Sequence, residues 1–173
     1  MIELQKGIPL IDQHDEHGYW GGKFGGSQIA ESLNYPIEEL TREFEKLRHD
    51  EKFVAERDHY FKNFVGAPTP FIKLNNLTNH LGGAQIYCKL VSKATGGAHK
   101  AYNAVVHALI AKHLGKTFIG GDTGAGYAGK MLSMVSAHFG LKAKIFMGAK
   151  DIERQQINVF SMRSYGAEVV PVT

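Results

Sequence analysis

From Ile86 onward the chain alternates short apolar runs with longer amphipathic ones, and this alternation restricts the fold more than any other feature. Ile86–Leu90, Thr117–Gly121, Lys144–Met147 and Glu168–Val172 read as strands. Between them, Ala101–Leu114, residues 128–139 and Ile152–Tyr165 read as helices. Strand starts at 86, 117, 144 and 168 leave room for one crossover helix per step, which predicts an α/β fold with a parallel sheet and flanking helices. Upstream, Pro36-Ile37-Glu38-Glu39-Leu40 opens a helix whose Ile37, Leu40, Phe44 and Leu47 share one face. A second helical stretch covers 51–63, and Gly66-Ala67-Pro68-Thr69-Pro70 then acts as a turn or linker. The expected organisation is an N-terminal arm with helices over 1–65 and an α/β domain over 66–173.

Composition narrows the function classes. Hydrophobic residues make up 43% and charged residues 21%, ordinary values for a globular chain. Ten of the 20 glycines lie between Gly82 and Gly129, a clustering that marks loops. Residues 1–60 carry 13 acids and 7 bases, whereas 61–173 carry 4 acids and 13 bases. Those bases are scattered, with no aromatic ladder between them, so nucleic acid is not an expected partner. Cys88 is the single cysteine; a reducing cytoplasm is the expected compartment, and Cys88 is expected as a small apolar core residue on its strand. No run approaches the roughly 18 apolar residues of a membrane span. His14 and His17 are three apart and His107 and His113 six apart, yet none of these joins Cys or acids at ligand spacing, so no metal site is expected.

Two loops could carry chemistry. Thr95-Gly96-Gly97-Ala98-His99-Lys100 runs into the helix at Ala101 and places Lys100 in its first turn. There the positive end of the helix dipole disfavours an ammonium and so favours the nucleophilic free amine. Free N–H groups at the same helix start suit a phosphate, and the Gly-Gly pair lets backbone approach a ligand. An amine beside a phosphate cradle is what pyridoxal phosphate requires. The same residues also fit a solvated lysine after a flexible turn. The second loop is Asp122-Thr123-Gly124-Ala125-Gly126, at the carboxyl end of a strand where α/β folds place ligands. Its N–H groups could cup a carboxylate, and Asp122 could transfer a proton; equally, Asp122 could cap a loop that merely turns.

These pieces resemble one family. Gly66-Ala67-Pro68-Thr69-Pro70, Leu81-Gly82-Gly83-Ala84, Gly97-Ala98-His99-Lys100, Thr123-Gly124-Ala125-Gly126, Met147–Gln155, Asn158–Arg163 and Gly166–Val172 are similar to the N-terminal half of tryptophan synthase beta chains. The resemblance implies a two-domain pyridoxal-phosphate fold of type II, with this chain equivalent to its first part and the family's C-terminal cofactor-binding domain absent. It implies a lyase that replaces the hydroxyl of L-serine with indole to give L-tryptophan. Lys100 would hold pyridoxal 5'-phosphate covalently and act as acid and base at the substrate alpha carbon. His99 would contact the cofactor phosphate, Asp122 would stand in for the family's catalytic glutamate, and Thr123, Gly124, Ala125 and Gly126 would hold the substrate carboxylate. A tryptophan synthase alpha chain and a second beta chain are the implied partners. This sequence departs from the family at four places: Asp122 replaces Glu, Tyr127-Ala128 replaces Gln-His, Lys89–Gly96 replaces a more charged run, and Tyr102 replaces a smaller residue close to Lys100. The expected activity of this chain alone is accordingly weak or absent. A non-catalytic partner of a full-length beta or alpha chain, or a small-anion binding module, is the alternative expectation.

Overall fold

The computed structural model describes residues 6–15, 18–26 and 28–173. Two compact units divide at Arg42 and Glu43.

In the first unit a short 3-10 turn, Leu10–Asp12, precedes a two-stranded antiparallel ribbon of β1 (Tyr19–Trp20) and β2 (Phe24–Gly25). The Trp20 indole N–H donates to Leu10 O at 2.6 Å and closes the ribbon on that turn. Helix α1 (Asn34–Leu47) starts in this unit and ends in the second. It carries Pro36 in its first turn, where the missing N–H costs nothing. Of its apolar stripe, Ile37, Leu40 and Phe44 are exposed and Leu47 is buried.

The second unit begins with α2 (Glu51–Tyr60), capped by the Asp50 carboxylate, which accepts from Lys52 N–H at 2.8 Å and Phe53 N–H at 3.1 Å. The helix widens into a π turn over Phe61–Val65 and stops at Gly66. Strand β3 (Phe71–Lys73), α3 (Asn75–Leu81) and β4 (Tyr87–Lys89) follow. Then come α4 (Lys100–His113), β5 (Phe118–Thr123), α5 (Tyr127–Phe139), β6 (Lys142–Gly148), α6 (Ala149–Arg154), α7 (Gln156–Ser164) and β7 (Glu168–Val172).

The parallel sheet has the order β5-β6-β7, in register from Phe118 opposite Lys142 and from Lys144 opposite Glu168. The run at Ile86–Leu90 is a strand but not part of it. Its core, β4, pairs antiparallel with β3, Ile72 opposite Cys88, and Phe71 stacks on Tyr87 with centroids 5.1 Å apart. Spacing alone predicts all four apolar runs in one sheet, whereas β3 and β4 are three residues each and pair with each other. Cys88 is therefore half-buried on a small ribbon, not in the core. The helix expected over Ile152–Tyr165 is also two helices, broken at Gln155 (φ −114°, ψ 39°).

One face of the sheet is closed by α5 and α7. Along β6, Ala143, Ile145 and Met147 alternate inward and pack with Val159, Met162 and Ala167. Gly129 lets α5 press onto this layer, because a Cβ there would lie 2.7 Å from Ile145 Cγ2 and 2.8 Å from Met162 Sδ. A second core joins α2, α4 and α5 through Phe53, Ala101, Val105, Leu109, Met131 and Val135. That core fixes α4 against α5 and sets where the first residue of α4 points.

Candidate active site

Lys100 is the first residue of α4, after His99 in the N-cap position. The preceding loop is pinned where its glycine pair begins. Thr95 N–H donates to Val65 O at 2.9 Å and its hydroxyl to Phe64 O at 2.5 Å. Across the loop, the Tyr127 hydroxyl donates to Gly96 O at 2.9 Å. Gly96 (φ +84°) adopts a left-handed conformation, and a Cβ there would overlap Met131 Sδ.

Lys100 lines a cavity of about 340 Å³. Asn103, Ala104 and His107 continue its wall along α4, at the three-, four- and seven-residue spacing that repeats one helix face. The facing wall is β5, where Gly120 and Gly121 offer bare backbone and Asp122 a carboxylate; Ala128 and Leu132 of α5 close the end. The two groups singled out in separate loops, Lys100 and Asp122, thus share one cavity. Lys100 is half-buried and Asp122 exposed.

The other candidate residues stand around it. His99 is exposed and is not among the cavity-lining residues. Thr123 ends β5 and is buried; Gly124 and Ala125 form the exposed turn, and Gly126 (φ +88°) is buried just ahead of α5. No side chain caps α5, and its ladder starts with Lys130 N–H to Gly126 O at 2.8 Å. The N–H groups of the first turn therefore lack helical acceptors, the arrangement that favours an anion. Asn158 of α7 holds this turn, donating from Nδ2 to Ala125 O at 2.8 Å.

Electrostatics adds two shifts. His107 is exposed, yet the desolvation of its inner side against the cavity wall lowers it from the ordinary imidazole value. Desolvation likewise raises the Tyr127 phenol, opposed by the backbone N–H of Ala98, so it remains a donor. Asn103 and the cavity role of His107 escaped the sequence reading, although their spacing from Lys100 on one helix face was the signal. His113 does something different from His107: it meets Glu56 at 3.3 Å and the edge of Phe53. Among the described residues no three His, Cys, Asp or Glu side chains gather as a metal site, and His17 lies outside those residues.

A lysine at the start of a helix, beside an anion-receptive helix end and a carboxylate, has the chemistry that an aldehyde cofactor bearing an anionic group requires. The family model described as "Pyridoxal-phosphate dependent enzyme" matches residues 63–173, and the chain belongs to that family. Within it, the chain is 47% identical over 159 residues to the tryptophan synthase beta chain of Ruegeria sp. (strain TM1040), covering 92% of this chain and 38% of that protein. It is 44% identical over 168 residues to the tryptophan synthase beta chain of Xanthomonas campestris pv. campestris (strain B100), covering 95% of this chain and 41% of that one. The chain thus spans about two fifths of the length of these relatives. Two solved structures share the fold. One is a pyridoxal 5'-phosphate-dependent aspartate racemase (TM-score 0.55, 21% identity, 78% of this chain and 37% of that one). The other is a serine racemase from Dictyostelium discoideum (TM-score 0.58, 16% identity, 69% of this chain and 38% of that one). No helix among the described residues is long and apolar enough to cross a membrane.

Proposed function

We propose that this chain supplies the lysine-bearing part of a pyridoxal-phosphate site that replaces the hydroxyl of L-serine with indole, releasing water and giving L-tryptophan. The observation that carries the reading is the convergence of Lys100 and Asp122 on one cavity, in a chain 47% identical over 159 residues to a tryptophan synthase beta chain. The residues fit the cofactor. Lys100 offers an amine for its aldehyde, and a cavity of about 340 Å³ lies within the roughly 300–1,000 Å³ of small-molecule sites. Bound there, pyridoxal phosphate supplies an electron sink that acidifies the substrate Cα–H.

The chain's own groups do the rest. The Lys100 amine holds the cofactor and moves the proton at the substrate alpha carbon. Asp122, on the opposite wall, serves the serine hydroxyl as it leaves and the indole as it arrives. Backbone N–H groups of Thr123, Gly124, Ala125 and Gly126 receive the substrate carboxylate, and His99 meets the cofactor phosphate. Residues 66–173 are the α/β part of the site, 1–65 the arm and helices ahead of it. The assembly we propose is that of the relatives, with a second beta-type chain and an alpha chain.

The test loads the chain with pyridoxal phosphate and adds L-serine, then indole. The expected result is a change in the cofactor's visible absorbance with serine and, at a low rate, tryptophan with indole, both lost in Lys100→Ala and the second reduced in Asp122→Ala. Cofactor held at Lys100 with no spectral response to millimolar L-serine would overturn the assignment of the substrate.

A further inference from the structure

Tyr127 stands where the family resemblance expects Gln, and in this fold its side chain is committed elsewhere. Its hydroxyl reaches back 31 residues to donate to Gly96 O at 2.9 Å. The backbone N–H of Ala98 acts on the same oxygen. Gly96 sits against Met131, one turn further along α5, so closely that a Cβ would overlap its sulfur and lie 3.3 Å from the Tyr127 oxygen. Tyr127 is also the first residue of α5, directly after the Thr123–Gly126 turn. One side chain therefore joins the loop that ends in Lys100 to the helix end that forms the anion cup. The residue just before Gly96 is tied independently, by Thr95 to Phe64 and Val65. From these adjacent ties only Gly97, Ala98 and His99 lead on to the amine-bearing residue.

We propose that Tyr127 is a positioning residue, a latch that fixes the Lys100 loop to the N-terminal end of α5. The latch couples the placement of the Lys100 amine to occupancy of the Thr123–Gly126 turn. This deepens the proposed function and rests on it for what Lys100 does and for what the Thr123–Gly126 turn holds. The latch removes freedom from a segment with two left-handed glycines that runs directly into the first turn of α4, where the amine is carried. Since misplacing a reacting group by about 1 Å can cost ~100-fold in rate, fixing that loop matters more than any stability it adds.

The test compares the wild-type chain with Tyr127→Phe, which keeps the ring and removes only the hydroxyl. Two readouts are taken on each. The first is backbone amide exchange over residues 96–100, which needs no cofactor. The second is the share of pyridoxal phosphate trapped by borohydride at Lys100 rather than at other lysines, measured across pH with and without L-serine. The expected result is exchange about tenfold faster over 96–100, the equivalent of about 1.4 kcal/mol, with little change in thermal midpoint. It also includes a several-fold loss of Lys100 selectivity, a shifted pH midpoint for labelling, and loss of the effect of L-serine. Unchanged exchange overturns the latch. Faster exchange with wild-type selectivity and pH midpoint reduces Tyr127 to a structural residue and overturns its positioning role. A wild-type chain that shows no preference for Lys100 sinks the cofactor reading itself, and the positioning role with it, whatever the exchange shows.

Discussion

Gly126→Ala probes how firmly the Thr123–Gly126 turn is built. Gly126 has φ +88°, a conformation that costs an L-residue about 1–2 kcal/mol. Its new Cβ would lie 2.7 Å from Asn158 Cβ, 3.3 Å from its Nδ2 and 3.4 Å from its Cγ. The first of these is the root of a side chain on α7, so it cannot swing away, and overpacking of this kind costs about 1–3 kcal/mol. Moving Asn158 also strains its 2.8 Å bond to Ala125 O, worth about 1 kcal/mol. We expect a loss of about 3–6 kcal/mol and a fall of roughly 6–24 °C in thermal midpoint for a chain of this size. Denaturant titration followed by circular dichroism measures the first, a thermal scan the second. Asn158→Gly removes the opposing Cβ, so the double variant should recover about 1–2 kcal/mol relative to additivity. A single variant within about 0.5 kcal/mol of wild type, or a strictly additive pair, refutes the packing argument.

Ile145→Ala, at a fully buried position on the central strand β6, should cost about 2–5 kcal/mol in the same titration. A cost under about 1 kcal/mol would mean the layer between the sheet, α5 and α7 is not packed as described. The Asp50 carboxylate is held below the usual range, first by the Phe53 and then by the Lys52 backbone N–H, so its contribution is present at neutral pH and lost as pH falls through its folded value. Asp50→Asn keeps a cap but should flatten the stability profile below about pH 4; an unchanged acid limb contradicts this. His107 is shifted down by desolvation, so as pH drops below about 6.5 the unfolded chain takes up its proton first and stability falls. His107→Gln should remove that loss, and the wild-type ring should titrate below the ordinary value by proton NMR; an ordinary titration would show the cavity to be wetter than its lining suggests.

The crossover half of the fold was legible because its signal is local. Glu168–Val172 was placed to the residue, and Thr117–Gly121 and Lys144–Met147 fall inside the observed Phe118–Thr123 and Lys142–Gly148 to within a residue or two. The helix expected at Ala101–Leu114 is shifted by one residue from Lys100–His113. What escaped depends on tertiary partners. Ile86–Leu90 carries a strand pattern, but nothing in it says that Tyr87–Lys89 finds Phe71–Lys73 in place of the crossover sheet. Gln155 is no helix breaker by propensity. The helix breaks there as Asn158 N–H donates to Gln155 O at 2.9 Å while its side chain reaches Ala125. In the site, Lys100 and Asp122 were visible as separate loop residues. Their meeting in one cavity, and the walls contributed by Asn103 and His107, follow only once α4 is laid against β5 and α5.

The account turns on whether Lys100 is the amine that takes the cofactor. The most direct measurement mixes the purified chain with pyridoxal phosphate, reduces with borohydride and locates the adduct by peptide mass spectrometry, with Lys100→Ala alongside. The account predicts modification of Lys100 well above every other lysine, and no dominant site in the variant. Labelling spread evenly over the surface lysines, unchanged by Lys100→Ala, would contradict it.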